Sequence, residues 1–115
     1  MPYDEALADR VRAVLAPREE LSERKMFGGI AFMLAGNMAV GIVGDDLMVR
    51  LGREDAERAL AEPHVRPMDF TGRPAKTTVY VDPAGTASED DLAGWVEAGA
   101  DFAASLPAKG PGRKS

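Results

Sequence analysis

The chain has 115 residues with 14 basic side chains, 19 acidic side chains and no cysteine, which describes one acidic domain long enough to bury a core. The absence of cysteine excludes disulfides, thiolate catalysis and cysteine-based zinc sites. Lys109, Arg113 and Lys114 lie at the C-terminal end, so they account for +3 of the net charge of −5 and leave −8 on the rest. An acidic body opposes attraction to phosphate backbones, and we expect nucleic-acid binding to be weak or indirect.

The N-terminus and the apolar runs both indicate a cytoplasmic protein. The first five residues include two acidic side chains and lack the basic and apolar regions of a signal peptide. No apolar run reaches the roughly 20 residues that a membrane helix needs. We expect one domain over residues 1–106, a flexible basic tail over residues 107–115, and no contact with a membrane.

The first predicted element is an amphipathic helix over residues 4–16. Leu7, Val11 and Leu15 recur at helical spacing along this stretch, and a proline follows it. The next stretch, residues 18–22, is polar and predicts a link between the helix and the first strand.

Three strands are predicted next, over residues 25–34, 38–43 and 47–51. Short turns that contain glycine separate the three runs, so the strands form an antiparallel meander. Gly28 and Gly29 interrupt the first strand. Paired glycines inside a strand favour a bulge or a close approach by another part of the chain.

A short helix and a second hairpin follow the meander. Residues 53–61 are good helix formers with acidic side chains in the first turn. Residues 65–70 and 77–81 predict the two arms of a hairpin around residues 71–74. Pro67 makes the first arm an edge strand or an irregular one, because proline lacks a backbone donor.

The last predicted helix runs from Ser88 to Leu106. Ser88 with the acidic residues after it resembles a capping box, and an apolar stripe continues along the whole segment. Trp95 and Phe102 lie seven residues apart on this stripe, so we expect both to be largely buried against the sheet.

These elements predict a two-layer α+β domain. The order α-β-β-β-α-β-β-α places an antiparallel sheet in one layer and helices on one of its faces. A domain of this kind hosts many functions, and its fold does not assign one.

The sequence indicates no catalytic, cofactor-binding or metal-binding residue. His64 is the only histidine and lacks the partners of a zinc site or a catalytic triad, which is typical of a loop residue. Neighbouring acidic residues fit turn chemistry or the first turns of helices better than a metal site. These pairs are Asp45-Asp46, Glu54-Asp55 and Asp90-Asp91.

A candidate partner-binding segment surrounds the paired glycines. Two cations and an aromatic residue lie beside an exposed glycine backbone, a combination that suits an anionic or peptide partner. The alternative is that Lys25 lies over the sheet while its apolar neighbours enter the core. Arg50 joins the set because it alternates with the apolar face of the third strand. The candidate residues are Arg24, Lys25, Phe27, Gly28, Gly29 and Arg50.

Several runs together resemble the N-terminal domain of the TfoX/Sxy family of bacterial competence regulators. The resemblance extends over nearly the whole chain. It depends on Lys25-Met26-Phe27-Gly28-Gly29-Ile30-Ala31-Phe32, Gly36-Asn37-Met38-Ala39-Val40-Gly41, Leu47-Met48-Val49-Arg50 and Phe70-Thr71-Gly72-Arg73-Pro74.

The resemblance implies the same element order, in an architecture similar to secretion-chaperone-like and YjbR-like folds. Longer family members act in transcriptional activation of competence genes, together with the cyclic-AMP receptor protein. They carry a second, helical domain, whereas we expect this chain to be a stand-alone N-terminal domain. Competence regulation is therefore not carried over, and the family supplies no catalytic residue.

Three functions stay open from the sequence. The first is a non-catalytic regulatory module that binds a protein partner or a second copy of itself. The second is a nucleic-acid-binding accessory protein, and the third is a small-ligand sensor or an enzyme. If the module forms a homodimer, charge reversal at Arg24 and Lys25 is expected to weaken it.

Overall fold

The computed structural model describes residues 3–18, 20–26, 28–67 and 76–107, and this part of the chain forms one antiparallel sheet with three α-helices. A short 3-10 helix, Pro83–Thr86, precedes the last α-helix. The helices are α1 (Glu5–Leu15), α2 (Arg53–Ala59) and α3 (Glu89–Ala104), and the strands are β1 (Leu21–Met26), β2 (Gly29–Leu34), β3 (Asn37–Val43), β4 (Asp46–Arg50), β5 (Val65–Pro67) and β6 (Thr78–Val81).

The α+β class and the element order are confirmed, with the glycine-interrupted segment counted as one unit. The interruption itself is a chain reversal: β1 and β2 pair antiparallel, with Met26 opposite Gly29. Gly28 adopts a φ of +76°, which glycine reaches at little steric cost. The prediction of a polar link over residues 18–22 is wrong at its end, because β1 already begins at Leu21.

The six strands lie in the order β1-β2-β3-β4-β6-β5. Each neighbouring pair is antiparallel, so β1 and β5 form the two edges of the sheet within the described residues. Of the predicted second hairpin, the structure describes β5 and β6. The predicted turn and the end of its first arm, residues 68–75, lie outside the described residues.

One face of the sheet packs against the helices. Alternate strand residues such as Phe32, Val40 and Val49 belong to one buried cluster with residues of all three helices. Helix α3 approaches the sheet closely, since a Cβ on Gly99 would lie 2.5 Å from the Ala39 carbonyl oxygen. The two-layer arrangement follows from this single apolar cluster.

The buried face of α3 differs in part from the prediction. Ser88 caps the helix by accepting a hydrogen bond from the Asp91 N–H at 3.0 Å, as the capping box predicts. Leu92 and Val96 are fully buried. Trp95 and Phe102, which we expected to be largely buried, are partly buried rather than fully buried, and Trp95 packs against the core cluster.

The face of the sheet turned away from the helices carries a row of residues that face one another across all six strands. The row begins with Arg24 on β1 and ends with Tyr80 and Arg66 on β6 and β5. The Arg66 guanidinium lies 5.2 Å from the centre of the Tyr80 ring and pairs with Asp46 and Asp82, both at 2.7 Å. Arg66 therefore links the short edge strand β5 to the end of its neighbour β6 and to β4 beyond it.

None of the helices in the described residues is long and apolar enough to cross a membrane.

Candidate interaction surface

The candidate surface consists of edge strand β1 and the turn that follows it. Ser22, Glu23, Arg24 and Lys25 are all exposed, although they lie in a regular strand. Arg24 and Lys25 make no ion pair with any other described residue. Phe27, which the sequence adds to this set, lies outside the described residues.

Gly28 and Gly29 have different surroundings in the turn. A Cβ on Gly28 would meet open space, so this residue presents bare backbone to solvent. A Cβ on Gly29 would lie 1.9 Å from the Ile42 carbonyl oxygen, because β3 passes directly against it. Gly28 therefore belongs to the exposed surface, whereas Gly29 allows the close approach of two strands.

The side chains of β1 alternate between the two faces of the sheet. Glu23 and Lys25 lie opposite the core residues Phe32 and Ile30, which places them on the helix side. Arg24 lies opposite Ala31 and projects from the other face. The side chains of Arg24 and Lys25 therefore project from opposite faces of the sheet at the same edge strand.

Arg50 does not join this edge. It ends β4, three strands from β1, which corresponds to about 14 Å across a sheet. Its guanidinium lies 5.4 Å from the centre of the Phe102 ring, a cation–π contact with α3. Arg50 thus has a packing partner within the domain.

Glu23 connects the edge strand to helix α1. Arg12 donates to both Glu23 carboxylate oxygens, at 2.6 and 2.9 Å, and a third hydrogen bond goes to Asp9. These hydrogen bonds from Arg12 lower the pKa of Glu23, although desolvation opposes the change. Glu23 is therefore ionised at neutral pH and is held in a fixed position along β1.

The outer backbone groups of β1 follow from its pairing with β2. The Ala35 N–H donates to the Glu20 carbonyl at 3.1 Å, one step beyond the β1–β2 ladder. Hydrogen-bonded pairs alternate along an antiparallel ladder, so Ser22 and Arg24 also direct their N–H and C=O groups toward β2. The same groups of Glu23 and Lys25 point away from the sheet.

A concave region lies elsewhere, between α2, α3 and the 3-10 helix. This cleft has a volume of about 800 Å³, and partly buried Trp95 and exposed His64 contribute to its wall. Asp90 and Asp91 line it as well, while Asp55 in the same wall is paired with Arg58. The sequence does not reveal this cleft, because it forms only when helices distant in sequence come together.

His64 has a backbone role at the edge of this cleft. It adopts a φ of +69°, and its carbonyl accepts a hydrogen bond from the Asp82 N–H at 2.8 Å. Its interpretation as a loop residue agrees with its position between α2 and β5. Within the described residues, no group of three histidine or acidic side chains is arranged to hold a metal ion.

The fold and this edge define a two-layer α+β domain that presents a charged edge strand. A family model described as the TfoX N-terminal domain matches residues 13–103, and the chain therefore belongs to that family. The resemblance derived from the glycine-containing run and the meander is confirmed. No match was found among curated proteins or among solved structures.

Proposed function

We propose that this domain is a non-catalytic, cytoplasmic regulatory module that binds a protein partner through β1 and its turn. One observation supports the proposal above all: a six-residue edge strand with four successive exposed side chains, Ser22 through Lys25, and outward-pointing backbone groups. Such a strand can accept a further strand by backbone hydrogen bonding, a recurring mode of protein recognition.

The other edge of the sheet is less suited to strand addition. Strand β5 has only three residues, and one of them is Pro67, which lacks a backbone donor. The Arg66 side chain is held by Asp46 and Asp82. This difference between the edges favours β1 as the interacting one.

The charge of β1 favours a partner strand that carries carboxylates. Arg24 and Lys25 are exposed cations in a domain whose overall charge is negative. A strand added beside β1 brings its side chains within reach of these cations, and opposite charges across strands stabilise the pair. The net negative charge of the whole chain argues against nucleic acid as the main partner, since an acidic body repels phosphate.

A photo-cross-linking amino acid at Ser22 tests the proposal in host cells, with the same group at Glu57 on α2 as the matched control. We expect a defined cross-linked product from position 22 and none from position 57. The Lys25→Pro substitution removes an outward-pointing donor without removing a β1–β2 hydrogen bond, and it should abolish the product.

The purified partner should then bind the wild-type domain and lose at least about tenfold in affinity toward the Lys25→Pro variant, a change of about 1.4 kcal/mol. An unchanged melting temperature would show that this variant is folded. Equal cross-linking from positions 22 and 57, or equal affinity for the variant, would contradict the proposal.

A further inference from the structure

We infer that β1 pairs antiparallel with β1 of a second copy of this chain, across a twofold axis that passes beside Arg24. This inference rests on the proposed function, because it names the partner of the same edge strand. The arrangement joins two six-stranded sheets into one continuous sheet.

The backbone of β1 restricts how two copies can pair. A twofold axis perpendicular to the sheet keeps the helices of both copies on the same side, so residues opposite each other must share a face. The outward-pointing groups of Glu23 and Lys25 meet reciprocally when Arg24 lies at the axis. Each Glu23 then exchanges two hydrogen bonds with Lys25 of the other copy, which gives four backbone hydrogen bonds around the axis.

The charges of β1 select this register. With Arg24 at the axis, each Glu23 lies opposite a Lys25, so two pairs of opposite charge form across the interface. An axis at Glu23 or at Lys25 would also place like charges opposite each other, but without these two pairs of opposite charge. The sequence of β1 is therefore self-complementary in one register.

The contact between Arg12 and Glu23 prepares this interface. The Arg12 guanidinium donates to the two Glu23 carboxylate oxygens at 2.6 and 2.9 Å on the helix side of the sheet. The Lys25 side chain projects from the same face. A carboxylate has about four acceptor positions, so it can take a further hydrogen bond from the ammonium group of Lys25. The fixed carboxylate loses little conformational freedom on pairing.

Arg24 limits the strength of the dimer. The two Arg24 side chains lie opposite each other at the axis on the face turned away from the helices, where like charges repel. Pairing along one short edge also buries less than the roughly 1,000 Å² of a stable interface. The expected dimer is therefore weak and reversible, and it forms at high protein concentration.

A charge-swap experiment tests the register by sedimentation equilibrium at low ionic strength. Wild-type protein is expected to dimerise between about 10 and 500 µM, in the range of weak complexes. Glu23→Lys and Lys25→Glu should each weaken the homodimer at least about tenfold. An equimolar mixture of the two variants should form a heterodimer. Positions 23 and 25 are then both lysine in one strand and both glutamate in the other, so opposite charges face each other at both positions.

Two further variants keep the inference testable if Glu23→Lys disturbs the domain by losing its contact with Arg12. Arg24→Thr removes the repulsion at the axis and should tighten the dimer at least about threefold. Glu57→Lys changes an exposed charge on α2 and should leave dimerisation unchanged. Each variant is first compared with wild-type protein by thermal unfolding.

A wild-type protein that stays monomeric to about 500 µM, or a variant mixture that stays monomeric, would overturn the self-pairing. Self-pairing predicts that the Ser22 cross-link joins two copies of this chain. A Ser22 cross-link to a different protein, beside a monomeric wild type, would overturn self-pairing and retain the proposed function. A monomeric wild-type protein that also gives no Ser22 cross-link would overturn both the self-pairing and the proposed function.

Discussion

At the residue scale, two neighbouring glycines meet different requirements. Gly28 has a φ of +76° in open surroundings, so only its backbone conformation demands glycine. Gly29 lies against the carbonyl of Ile42, so its lack of a side chain is what matters. Substitution at the two positions therefore separates backbone strain from a packing clash.

Gly28→Ala is expected to destabilise the domain by about 1 kcal/mol, the usual cost of forcing a side chain into a positive φ. Gly29→Ala should cost more, about 2–3 kcal/mol, because its Cβ would displace the backbone of β3. Urea unfolding of both variants beside wild-type protein measures the difference. Equal losses of stability would show that β3 can move away from the turn without penalty.

Asn37 is a second residue whose importance the sequence hides. Its side chain is 1% exposed, and its Nδ2 donates to the Pro107 carbonyl at 2.8 Å. The contact joins the start of β3 to the chain just after α3, 70 residues away. From sequence, an asparagine after Ala35 and Gly36 indicates only a turn, because the partner of its amide depends on tertiary structure.

Asn37→Ala should reduce stability by about 1–3 kcal/mol, because it leaves the Pro107 carbonyl without its donor in a partly buried position. Thermal unfolding measures the loss. The control is Asp45→Ala at an exposed position in the next turn, which is expected to change stability by less than about 0.5 kcal/mol. A comparable loss in both variants would mean that the amide contact is not specifically stabilising.

At the element scale, the sequence predicts helices and central strands better than edges. The alternation of Leu47 and Val49 predicts β4, and the structure buries both of them together with Met48 on the opposite face. Strand β1 has no such alternation, since Ser22 through Lys25 are exposed on both faces. Its pairing with β2, and the outward direction of the Glu23 and Lys25 backbone groups, therefore follow only from the register between β1 and β2 in the structure.

The contact between α1 and β1 should respond to acid. Arg12 lowers the pKa of Glu23 in the folded domain, so this pair stabilises the fold at pH values above the unfolded pKa of glutamate. The contribution is lost as the pH falls through the lowered pKa. Because both side chains are more than a third exposed, we expect a loss of at most about 1 kcal/mol.

Glu23→Gln reveals this contribution by comparison with wild-type protein. Wild-type protein should be the more stable at pH 7, and the difference should disappear once Glu23 is protonated at low pH. Urea unfolding across this pH range gives the difference directly. A difference that stays constant with pH would show that the loss comes from packing rather than from charge.

At the scale of the whole molecule, charge separates the protein-binding proposal from nucleic-acid binding. The chain carries a net charge of −5, and Lys109, Arg113 and Lys114 contribute three positive charges near its C-terminal end. The predicted tail, apart from Pro107, lies outside the described residues. Any nonspecific attraction to DNA is expected to depend on these three charges.

Deletion of residues 108–115 should abolish retention of the protein on duplex DNA at low salt and leave the melting temperature unchanged. Pro107, which accepts the hydrogen bond from Asn37, remains in the shortened chain. Three cations release few counterions, so binding by the full chain should fall with salt at a logarithmic slope no steeper than about −2.7. A steeper slope, or tight binding by the shortened chain at physiological salt, would show that the acidic body holds a nucleic-acid site and would favour that function over the protein-binding one.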